Sequence, residues 1–235
     1  MRLIKGLLRG IGWLLLITVT LFTLLQLWFA AHIAYWVHYN PSSTAFMRAR
    51  LEVLREHNPK AQWRQQWVPY RMISPHLKRA LIAAEDARFL EHRGFDWDGI
   101  RQAWERNRRE KAIVAGGSTI TQQLAKNLFF SGKRTWWRKG QEAIITVMLE
   151  AMMSKQRIFE LYLNLIEWGD GVFGAEAAAR YHYGISAAAL SPLQAARLAA
   201  MTPSPRRYGP GASTPYLQQR TAAIHARLYA VALPK

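Results

Sequence analysis

Two adjacent carboxylates, Glu85 and Asp86, follow a short apolar run in the stretch LIAAEDARFLEHRG. A helix turns by about 100° per residue, so a helix over 75–92 places Glu85 on the same face as Phe89 and His92, and Asp86 on another. That face is the apolar one, which predicts that Glu85 points inward. A carboxylate held against apolar neighbours has a raised pKa, because its charged form is disfavoured, and this suits a general base. The alternative is a boundary glutamate paired with a nearby cation.

A second group of polar residues follows two glycines in the stretch GGSTITQQLAKN. Thr119 and Gln122 have the spacing of a capping box, which predicts the start of a helix. Gln123, Lys126 and Asn127 lie side by side on one face of that helix. A glycine-rich loop that leads into a helix N-terminus offers free N–H groups to an anion such as phosphate. The alternative is an ordinary capped helix.

A third cluster is the stretch RKGQE, in which Arg138 and Lys139 precede Glu142 by four and three residues. On a helix these three side chains converge on one face. The cations precede the anion, which is the less favourable order for simple helix support. This order favours a cluster that faces another group, whereas a surface ion-pair cluster is the alternative.

Several other site classes are not indicated by the sequence. The P-loop pattern and HExxH are absent, and there is no cysteine, so nucleotide binding, a zinc site and thiolate chemistry are not predicted. The letters GDGVFG, residues 169–174, match G-x-G-x-x-G, but a helix-like stretch precedes them and no acidic residue follows at the required distance. They predict a tight turn between helices. The basic run 101–111 predicts a solvated helix or one that lies against a membrane.

An N-terminal apolar segment precedes these three motifs. No charged residue lies between Arg9 and Arg48, and residues 11–31 are dominated by Leu, Ile, Val and Phe. About 20 such residues span a bilayer. Arg2, Lys5 and Arg9 precede the segment, which predicts a cytoplasmic N-terminus. A cleaved signal peptide is the alternative, but its apolar region is shorter, about 7–15 residues. We expect a retained single-span anchor.

The net charge of +17, from 32 basic and 15 acidic residues, predicts a polyanionic partner. Because of the anchor, an anionic lipid surface or a lipid-linked phosphate is favoured over nucleic acid. The alternative is a merely basic surface.

Helical periodicity dominates the rest of the chain, and alternation typical of strands is scarce, so the fold class is mainly α. The predicted helices cover residues 41–60, 75–92, 97–111, 119–129, 136–154, 156–166, an alanine-rich pair that ends at 200, and about 216–233.

Together, the stretches EDARFLEHRG, GGSTITQQLAKN, RKGQE and KQRIFELYLNLIEWGDGVFGAEAAARYHYG closely resemble the glycosyltransferase domain of peptidoglycan polymerases, family 51. The resemblance is greatest to its monofunctional, membrane-anchored members. It implies a lysozyme-like, two-lobed helical domain with one N-terminal transmembrane helix. Neither S-x-x-K nor K-T-G occurs, so no transpeptidase domain is expected. The implied parts are a cytoplasmic tail (1–9), an anchor (10–37), a juxtamembrane segment that leads into the jaw lobe (38–70) and the glycosyltransferase domain (71–235).

The resemblance also implies a reaction and its residues. The family polymerises lipid II into β-1,4 glycan strands with inversion at the anomeric carbon and release of undecaprenyl diphosphate. Glu85 matches the general base and Glu142 the second essential glutamate. The substrate-binding residues implied are Ser118, Thr119, Gln123, Lys126, Asn127, Arg138 and Lys139. Many relatives carry a lysine where this chain reads MTPSPRRYGP, which leaves open whether Arg206 or Arg207 serves that subsite.

The implied partners are lipid II, the growing glycan strand and membrane lipids, with other cell-wall synthases or divisome proteins as further candidates. No cofactor is required by the sequence, although a divalent ion, Mg²⁺ or Mn²⁺, could share the work at the diphosphate. The implied location is the bacterial inner membrane, with the catalytic domain in the periplasm. A hydrolase with a lysozyme-like site and a non-catalytic basic scaffold are the two rival functions.

Overall fold

The computed structural model describes residues 2–110, 112, 116–132 and 135–235, without the side chains of residues 2 and 3. Contacts along the chain divide it into two compact units, Met1–Asn40 and Pro41–Lys235. Lys111, at which the fourth helix was predicted to end, lies outside the described residues.

The first unit is one long helix, α1, Arg2–His38. Within Ile4–His38 the most apolar 18-residue window has a mean hydropathy of 2.1, and the helix is long and apolar enough to cross a membrane. The helix rises about 1.5 Å per residue, so its 37 residues exceed the roughly 30 Å hydrocarbon thickness of a bilayer. The predicted apolar helix is therefore confirmed, and it is consistent with membrane anchoring.

The second unit is mainly helical, which confirms the predicted fold class. Most of its helices begin at a Ser or Thr whose hydroxyl accepts the hydrogen bond of a backbone N–H in the first turn, as expected for N-caps. The helices are α2 Ala45–His57, α3 Pro75–Glu85, α4 Trp97–Glu110, α5 Ile120–Phe129, α6 Trp136–Met152, α7 Lys155–Leu165, α8 Ala175–Tyr183, α9 Pro192–Met201 and α10 Pro215–Arg227. Single 3₁₀ turns cover Tyr70–Met72, Ala187–Ala189, Pro205–Arg207 and Leu228–Ala230.

The predicted helix over 75–92 is wrong in its second half, because α3 ends at Glu85. Asp86 is its C-cap and has extended φ. The Asp86 carboxylate accepts a hydrogen bond from the backbone N–H of Ile120 at 3.0 Å, so the chain turns toward α5 instead of continuing the helix. Phe89 is nevertheless fully buried. The last helix also ends early, at Arg227, and a 3₁₀ turn follows it.

A small sheet was not predicted. Its strands are β1 Arg64–Gln65, β2 Glu167–Gly169 and β3 Val172–Phe173, in the order β1-β3-β2. The strand β3 pairs in parallel with β1 and antiparallel with β2. The GDGVFG turn therefore joins two strands that lie between α7 and α8, and Gly171 turns the chain at φ +68°.

The core of the second unit holds the three helices that carry the polar motifs, α3, α5 and α6. The helix α5 packs against α2, α6 and α7, and α3 packs against α9 and α10. The largest fully buried side chains include Tyr162, Phe159 and Trp168. Burying a large apolar side chain stabilises a fold by about 1.5–3 kcal/mol. The end of α3 and the whole of α5 are therefore held on a rigid framework.

Candidate active site

Glu85 is the last residue of α3, and its side chain is only 13% exposed. One carboxylate oxygen, Oε2, accepts a hydrogen bond from the Gln123 amide nitrogen at 2.9 Å. The Gln123 amide oxygen accepts a hydrogen bond from the Tyr162 hydroxyl at 3.1 Å. Because Tyr162 occupies the amide oxygen, the nitrogen end of Gln123 is turned toward Glu85. The carboxylate thus points inward, as the sequence predicted, and Gln123 orients it.

Two further residues reach Glu85 from the C-terminal part of the chain, and neither was predicted. The Thr202 hydroxyl lies 2.5 Å from Glu85 Oε1, and Arg220 Nη2 lies 3.9 Å from the same oxygen. At this distance Arg220 forms a weak ion pair with Glu85. The alternative prediction, a glutamate paired with a nearby cation, is therefore correct in part. No local pattern indicates either residue, because the fold alone brings α9 and α10 onto α3.

Asp86, the second carboxylate of the pair, has a structural role. Besides the Ile120 N–H, it accepts a hydrogen bond from His92 Nε2 at 2.9 Å. The Gly94 N–H donates to His92 Nδ1, so the ring proton lies on Nε2. Asp86 is 7% exposed and ties the end of α3 to the start of α5.

The start of α5 is an ordinary capped helix, not an open anion site. Its capping box is formed as predicted, with the Thr119 hydroxyl accepting from the Gln122 N–H and the Gln122 side chain accepting from the Thr119 N–H. The Ile120 N–H is taken by Asp86 and the Gln123 N–H by the Thr119 carbonyl. The Asp86 carboxylate therefore stands where the glycine-rich loop predicted a phosphate.

Ser118 and Thr119 border a cavity of about 200 Å³ that Glu85 also lines. Ser118 is exposed. The Thr119 hydroxyl is buried and donates to the Gly94 carbonyl at 2.7 Å, so its contribution to the cavity wall is mainly one of shape. The structure thus brings both predicted residues to the side of Glu85.

The RKGQE cluster forms at the start of α6. Arg138 Nε and Lys139 Nζ each lie 3.2 Å from a different oxygen of Glu142, whose side chain is buried. Among the described residues, the Arg138 Nε–H finds no aligned acceptor, although the Arg138 Nη1 donates to the Gly132 carbonyl at 2.6 Å. The Arg138 contact with Glu142 is therefore one of charge, while Lys139 makes a true hydrogen bond. The predicted convergence of the three residues is confirmed.

Lys126 connects the two carboxylates electrostatically. Burial lowers the pKa of Lys126, and the positive charges of Arg138 and Lys139 lower it further, while Glu142 and Glu85 act in the opposite direction. Within the described part of the chain, neither the Lys126 ammonium nor the buried Asn127 amide makes a hydrogen bond. Both groups are thus available to a ligand.

Arg206 and Arg207 do not contact Glu85. Arg206 Nε lies 3.6 Å from Glu167 Oε2, and the exposed Arg207 lines a separate cavity of about 390 Å³ with Tyr208 and Tyr216. Among the described residues, the cation that forms an ion pair with Glu85 is Arg220.

This arrangement offers two kinds of chemistry side by side. Glu85 presents a positioned carboxylate at a cavity, which can accept a proton. Lys126 and the RKGQE cluster present cations that can stabilise negative charge on a leaving group. Among the described residues, no group of three His, Asp or Glu side chains is arranged to hold a metal ion.

Comparison with known proteins gives a consistent result. The family model described as Transglycosylase matches residues 51–229. A biosynthetic peptidoglycan transglycosylase of Nitrosospira multiformis is 60% identical over 209 residues, which cover 89% of this chain and 91% of that protein. A protein of the same name from Laribacter hongkongensis is 56% identical over 232 residues, covering 99% of this chain and 100% of that protein. The chain therefore belongs to the transglycosylase family, as a relative of these biosynthetic peptidoglycan transglycosylases.

Proposed function

We propose that this protein is a peptidoglycan glycosyltransferase that polymerises lipid II into β-1,4 glycan strands and releases undecaprenyl diphosphate. The observation that carries the proposal is the pairing of an oriented, inward carboxylate, Glu85, with a cationic group around Lys126 and Glu142. By the resemblance of their sequence motifs, Glu85 matches the family's general base and Glu142 its second essential glutamate.

Glu85 deprotonates the 4-hydroxyl of the acceptor sugar as that oxygen attacks the anomeric carbon of the donor. Gln123 and Thr202 each contact one oxygen of the carboxylate, which fixes its plane, and the remaining lone pairs face the acceptor. A positioned general base accelerates such a step by about 10²–10⁴-fold.

The cations stabilise the diphosphate as it leaves with the electron pair of the broken C–O bond. Lys126 donates directly, because the described residues give its ammonium no hydrogen-bond acceptor. Arg138 and Lys139 are held on Glu142, and Glu142 acts by positioning them. Ser118, Thr119 and Asn127 line the surrounding cleft.

A divalent ion at the diphosphate is a separate proposal, and the donor set gives it little support. Both oxygens of Glu142 already face cations, whereas Mg²⁺ needs free oxygen ligands. An ion that does bind would be held mainly by the diphosphate itself. Activity measured in EDTA and then with Mg²⁺ or Mn²⁺ restored separates the two cases.

The helix α1 supports a location at the inner membrane, with the N-terminus in the cytoplasm and the second unit in the periplasm, where lipid II is used. Arg2, Lys5 and Arg9 precede the apolar segment, as the positive-inside rule requires. The partners proposed are lipid II, the growing strand and membrane lipids, with other cell-wall synthases or divisome proteins as candidates. No transpeptidase activity and no nucleic-acid partner are proposed.

Hydrolysis of a finished glycan is the rival reaction for two carboxylates on a lysozyme-like domain. A neutral glycosidic bond needs no cations for its leaving group, and the cluster at Glu142 then has no use. The experiment is incubation of the purified full-length protein in liposomes with lipid II, followed by gel separation of products. We expect a ladder of glycan strands that lysozyme digests. Unchanged lipid II, or degradation of added glycan, would contradict the proposal.

A further inference from the structure

The hydroxyl of Thr202 has two short contacts with groups that both accept hydrogen bonds. Its Oγ1 lies 2.5 Å from Glu85 Oε1 and 2.8 Å from the carbonyl oxygen of Ala199. A hydroxyl carries one proton and two lone pairs. The Thr202 hydroxyl therefore donates to one of these oxygens at a time. Its short contact with the other oxygen is favourable only if a different group supplies a proton there.

The two protonation states of Glu85 resolve this conflict in opposite ways. When Glu85 is charged, the Thr202 hydroxyl donates to Oε1, and the Ala199 carbonyl keeps the backbone N–H of Thr202 at 3.4 Å. When Glu85 is protonated, the carboxyl proton on Oε1 is donated to Thr202, which turns its own proton to the Ala199 carbonyl. One rotation of the hydroxyl converts the first arrangement into the second.

We propose that Thr202 is a positioning residue that keeps Glu85 aligned in both protonation states during turnover. The inference rests on the proposed function, in which the acceptor's 4-hydroxyl proton passes to Glu85, the new C–O bond forms and the diphosphate leaves with the electrons of the old bond. Thr202 binds no substrate. It accommodates the proton that Glu85 has taken, so the carboxyl group keeps its plane until the proton is released to solvent.

The neighbours of Glu85 single out Thr202 for this role. Gln123 is turned by Tyr162 so that only its amide nitrogen faces Glu85, and an amide nitrogen accepts no proton. Arg220, from α10, and Lys126, from α5, face the carboxylate as cations and favour only its charged form. Asp86 is the neighbouring anion, and it is bonded to Ile120 and His92. Among the described residues that contact Glu85, Thr202 alone both donates and accepts.

The test compares Thr202→Val, which keeps the shape and loses the hydroxyl, with Thr202→Ser, which restores it. Thr221→Val is the matched control, because the Thr221 hydroxyl is buried and donates to a backbone carbonyl, that of Leu217, at 2.6 Å. A hydrogen bond to a charged group is among the stronger ones. We expect Thr202→Val to lower kcat on lipid II roughly tenfold with less than a twofold change in KM, and Thr202→Ser to stay within threefold of wild type.

The pH profile gives the readout that a purely structural role would not move. Loss of the hydroxyl destabilises the charged carboxylate more than the neutral one. The midpoint of the acid limb of the pH–rate profile should therefore move to higher pH in Thr202→Val and stay in place in Thr221→Val. Infrared spectra, with Glu85→Gln subtracted to identify the Glu85 carboxyl band, measure the same midpoint without any turnover.

The two failures are distinguishable. If wild type leaves lipid II unchanged, the proposed function fails, and the infrared midpoints of wild type and Thr202→Val still decide the role of Thr202. Equal midpoints for those two proteins, or a Thr202→Val variant that matches Thr221→Val in rate and acid limb, would overturn the inference.

Discussion

Replacing Lys126 with Met separates the contribution of this cation to catalysis from its effect on stability. Methionine has a similar length and no charge, so it fills the same space on α5. Lys126 is the cation near Glu142 that forms no ion pair among the described residues, whereas Arg138 and Lys139 both do. A preorganised donor aimed at developing charge contributes about 2.7–4 kcal/mol to the transition state. Turnover of Lys126→Met on lipid II should therefore fall by about 10²–10³-fold.

The stability of Lys126→Met should change in the opposite direction. Burial lowers the pKa of Lys126 below its ordinary value of 10.5, so the unfolded chain binds the proton more tightly than the folded one. The charged ammonium thus reduces the free energy of unfolding below the folded pKa, and this cost disappears as the pH rises to about 10.5. The variant should melt at a higher temperature than wild type at pH 7, with a gap that narrows toward pH 10.

The assay combines fluorescent lipid II turnover with thermal unfolding at pH 7, 8, 9 and 10. Lys60→Met is the control, because Lys60 is exposed and should change neither quantity. Ordinary turnover and a lower melting temperature in Lys126→Met would show that Lys126 stabilises the fold and does not stabilise the departing diphosphate.

Three further predictions concern the remaining cations and the anchor. Arg138→Gln and Lys139→Gln should each cut turnover by roughly tenfold or more with little change in melting temperature. Normal rates with a clearly lowered melting temperature would mean that the cluster only supports the helix. Arg220→Gln should lower turnover by only about two- to fivefold, because the 3.9 Å contact with Glu85 is partly exposed to solvent, and should move the acid limb of the pH profile upward; a loss above about a hundredfold would mean that Arg220 binds substrate itself. Removing residues 1–38 should weaken activity on liposome-embedded lipid II, because the anchor raises the effective concentration of a membrane-confined substrate. An unchanged rate would mean that α1 only holds the protein at the membrane and does not contribute to turnover.

Local patterns predicted the parts of the site that depend on short spacings. The capping box at Thr119 and the convergence of Arg138 and Lys139 on Glu142 each span four residues or fewer, and a helix determines them directly. The same spacing argument was wrong beyond Glu85. There the Asp86 side chain accepts a hydrogen bond from the Ile120 N–H at the start of α5, 34 residues away in sequence, and helical periodicity contains no information on such a contact.

Long-range contacts could not be predicted in this way. Thr202 lies 117 residues from Glu85 in sequence, and no periodicity relates the two. The strands β1 and β3 contain two residues each, too few for an alternating pattern to be visible. At the start of α5 the sequence left an anion site and an ordinary capped helix as alternatives. The choice between them depends on Asp86, which caps the Ile120 N–H from a different motif.

Glu85→Gln tests whether Glu85 removes the proton of the acceptor hydroxyl, the step on which the proposed mechanism depends. Glutamine keeps the shape of the side chain and accepts no proton at neutral pH, so the loss should be the whole of the general-base contribution, about 10²–10⁴-fold. The measurement is the rate of lipid II polymerisation in liposomes, with lipid II binding and melting temperature recorded on the same sample. We expect unchanged folding and unchanged lipid II binding, with almost no polymer. Retention of more than about a tenth of the wild-type rate would contradict it.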